Sequence, residues 1–179
     1  MSSARFLALG DSYTIGEQVD AGARWPVQLA AMLRAGGTRV DDPEIIATTG
    51  WTTDELAAGI ARASPVGPYA LVSLLIGVNN QYRGRQLATY DAEYRALLAQ
   101  AIEFAGGVAG RVIVLSIPDW GVTAFAEGRD RTAVAREIDA FNAAARMATL
   151  AAGARWVDVT PSSRERRAGW EAADGLHPS

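Results

Sequence analysis

With 179 residues, 49% of them apolar, and a net charge of −3, the chain has the size and composition of one globular domain spanning residues 1–179. It contains no cysteine, its one histidine is His177, and all 17 basic residues are arginine. That excludes thiol nucleophiles, disulfides, thiolate zinc and iron–sulfur sites, multi-histidine metal centres, Schiff-base lysines and the lysine of a phosphate-binding loop.

An isoelectric point near 5.2 gives no electrostatic reason to expect nucleic acid as a partner. The apolar start of the chain turns polar at Gly10-Asp11-Ser12, too early for a signal peptide. No stretch approaches the roughly 18 apolar residues of a membrane span. The expected location is therefore the cytoplasm. Oligomeric state is not legible.

Taken in chain order, short β-rich runs fall at 4–10, 44–48, 69–77, 111–117 and 155–159. Helix formers at 3.6-residue spacing fill 25–35, 53–63, 90–105 and 131–152. Leu97, Ala101 and Phe104 mark the inner face of the third helix; Ile138, Phe141, Ala145 and Ala148 mark that of the fourth. Residues 160–173 have no period and read as a loop. Strands alternating with helices imply right-handed βαβ units and a parallel sheet covered on both faces. The expected fold is a three-layer α/β/α domain with a five-stranded parallel sheet in the flavodoxin-like order 2-1-3-4-5. Ligands in such sheets sit beyond the carboxyl ends of the strands. Ser12, Gly50, Gly77-Val78-Asn79 and Pro118-Asp119 all follow strands, so they should meet at one rim.

With thiols and amines absent, the available nucleophiles are mainly Ser, Thr, Tyr and carboxylates, and a hydroxyl needs a base. A hydroxyl at the exit of the first strand (Ser12), with Asp174 and His177 close together near the other end, is the inventory of a serine hydrolase. Taken alone, Ser12 would read as a helix or turn cap, His177 as a surface histidine and Asp174 as a solvated loop acid.

Four ordered blocks go further: Leu9-Gly10-Asp11-Ser12-Tyr13, Thr49-Gly50-Trp51-Thr52-Thr53, Gly77-Val78-Asn79-Asn80 and Asp174-Gly175-Leu176-His177-Pro178. In these the chain resembles the SGNH hydrolases, also called GDSL esterases/lipases, over nearly its whole length. The resemblance implies that Ser12 is the nucleophile, that His177 is the general base, and that Asp174 orients the imidazole. It also implies an oxyanion hole made by the Asn79 amide with the backbone N–H groups of Gly50 and Ser12. No metal or cofactor is required. The implied activity is ester hydrolysis, with a small-molecule ester as the partner; a compact chain without a lid-like insertion favours small acyl esters. Thioesters, lysophospholipids and acetylated sugars present the same carbonyl, and loop shape decides among them.

Other residues keep two readings. Trp51 and Trp120, and less so Tyr82 and Phe125, line a substrate pocket or merely pack. Arg83 and Arg85 read as solvated loop arginines rather than anion contacts. Asp11 reads as a structural acid bonding nearby amides. The chain departs from the family pattern in two places. Asn80 stands where the family commonly has Asp, and is expected to matter little for catalysis. His177 is followed by two residues, where relatives usually continue into a packing helix, so its loop is expected to be weakly held. A non-catalytic binding module on the same fold is the main alternative of another class. A phosphohydrolase using Asp11 as nucleophile is a further one.

Overall fold

Five apolar runs pair in parallel as β1 (Phe6–Gly10), β2 (Glu44–Ala47), β3 (Leu71–Leu75), β4 (Val112–Leu115) and β5 (Arg155–Val157). Their order is β2-β1-β3-β4-β5, the order expected. The computed structural model describes residues 3–165 and 170–178.

The central strand shows why the sheet needs cover on both sides. All five residues of β1 are buried, and successive side chains point to opposite faces. Leu7 and Leu9 enter the larger core with Leu56 and Ile60 of α3 (Thr53–Ala63), Leu97 and Leu98 of α5 (Leu87–Phe104), and Ile138 and Phe141 of α6 (Arg131–Ala151). Phe6 and Ala8 face the other way, onto Ala30 of α2 (Trp25–Ala35), with Trp25, Leu29 and Leu33 packed around them. Each large aliphatic side chain buried this way contributes about 1.5–3 kcal/mol. The inner faces expected for the two long helices hold: Leu97, Ala101, Ile138, Phe141, Ala145 and Ala148 are buried, and Phe104 is partly so.

Three short helices escape a periodicity argument because each is about one turn long. They are α1 (Ser12–Ile15), α4 (Val78–Tyr82) and α7 (Thr160–Arg164). The last corrects part of the loop expected over 160–173, of which residues 166–169 lie outside the described set. Pro161 sits near the start of α7, where its fixed φ suits a helix and its missing N–H costs nothing.

Both α1 and α4 begin at the carboxyl end of a strand, and this aims their first residues at the rim. Gly77 makes the second turn sterically feasible. Its φ is +128°, and a Cβ there would lie 2.7 Å from Tyr90 and 2.9 Å from Ile117. Among the described residues, no helix is long and apolar enough to cross a membrane.

Candidate active site

Ser12 opens α1 directly after β1 and is 5% exposed. Asp11 caps that helix: its Oδ1 accepts from the Tyr13 N–H at 3.1 Å. The role expected for Asp11, bonding a nearby amide, is therefore the one observed. Because it is fully buried behind the helix start, Asp11 is withdrawn from any substrate, and the phosphohydrolase reading loses its nucleophile.

The second oxygen of Asp11, Oδ2, has no hydrogen-bond partner among the described residues. Burial pushes the carboxyl up to about 7, with the Tyr13 N–H working against it. The sign of the consequence follows from linkage. An unfolded Asp ionises near 3.8, so between there and about 7 the folded chain holds a proton that the unfolded chain has lost. Stability falls as pH rises through that window and levels off above it. Asp11→Asn keeps the Oδ1 acceptor and never ionises. Relative to wild type, it should therefore gain on the order of a few kcal/mol between pH 4 and pH 8. Urea unfolding of both proteins at the two pH values checks this; an equal difference at both would contradict it.

His177 is 6% exposed and is held from its own turn. Asp174 Oδ2 lies 2.6 Å from His177 Nδ1, while Asp174 Oδ1 accepts from the N–H groups of Leu176 and His177 at 2.9 and 3.0 Å. Burial raises the Asp174 carboxyl, but the His177 ring and the two backbone N–H groups together outweigh it and hold the group below its ordinary value. A carboxylate so placed makes Nδ1 the protonated nitrogen and leaves Nε2 as the lone-pair base.

The loop carrying His177 is better braced than expected. Phe125 N–H donates to Gly175 O at 3.0 Å, Ala172 N–H to His177 O at 2.8 Å, and Glu171 pairs antiparallel with Pro178. The Tyr13 ring stands edge-on to the imidazole at 5.4 Å, which ties the histidine to the residue after Ser12. Two of these contacts, from Phe125 and Tyr13, come from parts of the chain distant in sequence.

Ser12, Asn79 and His177 line one pocket of about 90 Å³, together with Tyr82, Trp120 and Phe125. A larger cavity of about 700 Å³ lies beyond Tyr13, Leu176 and His177, which line both.

Asn79 comes from α4, and its Nδ2 donates to Trp51 O at 2.9 Å. An amide has two N–H groups, so this bond orients the side chain and leaves one donor. Gly50 has φ +87°. Its carbonyl accepts from Arg83 Nη2 at 2.6 Å, and Arg83 also pairs with Glu55. Arg85 pairs with Asp54 at 2.8 Å. Both arginines thus link the end of α4 to the start of α3 while staying at least partly solvated, as expected of loop arginines.

Asn80 does more than its sequence position suggested. It is fully buried; its Oδ1 accepts from Thr53 N–H at 3.1 Å and its Nδ2 donates to Thr53 Oγ1 at 2.7 Å. The Thr53 hydroxyl in turn donates to Glu93. An Asp here could not donate, so the amide suits a neighbour whose hydroxyl proton is already used. Through Asn80, the block that holds Gly50 and the block that holds Asn79 are tied together.

The two candidate substrate-binding tryptophans separate. Trp120 lines the pocket. Trp51 is outside the lining of both cavities; its ring lies on Gly59 of α3, where a Cβ would meet it at 2.2 Å. Trp51 is a packing residue here because α3 presents a glycine to it. Tyr82 and Phe125 join Trp120 in an aromatic cluster with ring centres 5.4–6.0 Å apart. Among the described residues, no group of three or more His, Asp or Glu side chains converges as a metal site requires.

The model of the GDSL-like lipase/acylhydrolase family matches residues 8–179. The chain belongs to that family. This GDSL-family chain is thereby an acylhydrolase, a hydrolase of ester bonds. Its fold is shared with solved structures of low identity. TesA matches at a TM-score of 0.76 and 21% identity, covering 98% of this chain and 89% of that one. AlinE4, an SGNH-hydrolase family esterase, matches at 0.75 and 20%, covering 100% and 88%. Axe2, an acetylxylan esterase from Geobacillus stearothermophilus, matches at 0.71 and 20%, covering 99% and 88%. No curated protein sequence matches significantly.

Proposed function

We propose that this GDSL-family chain is a serine esterase that cleaves small acyl esters through a covalent acyl-enzyme. The observation that carries the reading is that His177, paired with Asp174 at 2.6 Å, lines the same pocket as Ser12 and Asn79.

Ser12 Oγ attacks the ester carbonyl carbon while His177 Nε2 takes its proton. The carbonyl oxygen becomes an oxyanion, received by the Asn79 Nδ2 donor and the N–H groups of Ser12 and Gly50. The Ser12 N–H is suited to this because it stands at the first position of α1, where the helix supplies no acceptor of its own. Collapse of the tetrahedral adduct breaks the bond to the alcohol, which leaves with the proton from His177. Water then attacks the Ser12 ester, His177 again accepting and returning the proton, and the carboxylic acid departs. Asp174 keeps the imidazole in one tautomer and stabilises its charged form without taking the proton.

A fluorophosphonate probe tests the nucleophile directly, since it forms a bond only with an activated hydroxyl. Labelling should map to Ser12 by peptide mass spectrometry and vanish in Ser12→Ala. Absence of labelling in the folded wild type would overturn the proposal and favour a binding module.

A further inference from the structure

We infer that Trp120 sets the upper size of the acyl group, restricting substrates to esters of short, uncharged acids. We infer further that Gln81 and Glu137 are the positioning residues that hold the indole there. The inference rests on the reading of Ser12 as nucleophile.

Trp120 is 4% exposed and lines the pocket shared by Ser12 and Asn79. Its indole N–H donates to Gln81 Oε1 at 2.8 Å, and Gln81 Nε2 donates to Glu137 Oε2 at 2.8 Å. The chain has only one self-consistent polarity. A carboxylate can only accept, so it draws the NH₂ of Gln81 toward itself and leaves the amide oxygen to face the indole. A flipped amide would set donor against donor at Trp120 and acceptor against acceptor at Glu137. Gln81 is itself 5% exposed, so an unmet bond on either side would be costly. Tyr82 and Phe125 close the other edges of the ring at 5.4 and 5.9 Å. Trp120 is thus a fixed wall.

The burial pattern decides which half of an ester meets that wall. Tyr82 and Phe125 are each 44% exposed and form the outer lip, whereas Trp120 forms the buried part. The alcohol leaves after the first half-reaction, across the exposed lip. The acyl group stays bonded to Ser12 and needs the buried space. That space is about 90 Å³, against about 700 Å³ for the neighbouring cavity. Its lining holds no permanently charged side chain, so a carboxylated or phosphorylated acyl group would find no ion-pair partner within the lining. The larger cavity adjoins this space along Tyr13, Leu176 and His177, with the Tyr13 and His177 rings in edge contact.

The experiment compares kcat/KM for p-nitrophenyl acetate, butyrate and octanoate in wild type, Trp120→Ala, Gln81→Leu, Glu137→Leu and Glu137→Gln, with Ser12→Ala as background. Wild type should lose at least about tenfold from butyrate to octanoate, and Trp120→Ala should raise the octanoate-to-acetate ratio by about tenfold or more. Gln81→Leu and Glu137→Leu should raise it severalfold, mainly through a lower KM for octanoate. Glu137→Gln should restore the wild-type ratio because its side-chain oxygen still accepts from Gln81. Glu137 is on the exposed side of α6, so this last pair is decisive even if Trp120→Ala fails to fold. Octanoate turned over as fast as acetate by wild type, or a ratio unmoved by Glu137→Leu, would overturn the inference while leaving Ser12 in place. Full turnover in Ser12→Ala would overturn the nucleophile and this inference with it.

Discussion

Ser12→Ala and His177→Ala should each lower kcat for a short p-nitrophenyl ester by on the order of 10⁴-fold or more, with thermal unfolding unchanged for Ser12→Ala. The size of the effect comes from the two groups acting as one device. Without the hydroxyl there is no acyl-enzyme; without the imidazole the hydroxyl keeps its proton and remains a poor nucleophile. The double variant should therefore be scarcely worse than either single one, because the second loss removes nothing still in use. Asp174→Asn belongs to the same series. An amide can present its NH₂ to Nδ1 and so favour the tautomer that carries the proton on Nε2, where the lone pair is needed. A loss approaching 10⁴-fold is expected with the pocket intact. The folding control is clean at Ser12, whose side chain is small and buried at the edge of the pocket rather than in either core. Steady-state kinetics on purified variants settle the matter. An Ser12→Ala protein within about tenfold of wild type would mean that another nucleophile does the work.

Asn79→Ala should lower kcat by about 10²–10³-fold, with KM for a short ester moving far less. The amide acts only once the carbonyl oxygen has gained charge, so its loss is felt in the transition state rather than in binding. The bond from Asn79 Nδ2 to Trp51 O is what makes it preorganised: the side chain is already turned when the substrate arrives. Asn79→Asp is the sharper variant. It preserves shape but presents acceptors to both the Trp51 carbonyl and the developing oxyanion, so its loss should equal or exceed that of Asn79→Ala. Separate kcat and KM values for the two proteins decide the point. A kcat within about threefold of wild type in both would remove Asn79 from the oxyanion site and leave it only its tie to Trp51.

Much of the architecture was legible in the chain because it depends on short-range regularities. The span Thr53–Ala63 matches the expected helix at both ends, since Thr52 stands where a cap belongs and the Glu55 carboxylate reaches back to the Thr52 N–H at 2.9 Å. The parallel, helix-covered sheet followed from alternation and crossover handedness, without any knowledge of contacts. Where the reading stopped is equally specific. Trp51 and Trp120 both follow a strand and look alike in sequence, yet one rests on Gly59 and the other donates to Gln81. Gln81 carried no signal, because its two partners lie 39 and 56 residues away. Asn80 looked like a neutral departure from a family pattern until Thr53, 27 residues away, was found to need both a donor and an acceptor from it.

The amino-acid sequence by itself determined the chemical inventory and the scaffold: one imidazole, no thiol and no amine, with a hydroxyl at the end of a strand that must be buried on both faces. Only the tertiary structure decided which side chains share the pocket, which aromatic ring becomes its wall, and what braces the loop bearing the histidine. The physical reason is that composition and periodicity are properties of neighbouring residues. Hydrogen-bond polarity and close packing, by contrast, are settled between groups brought together by the crossing of separate elements.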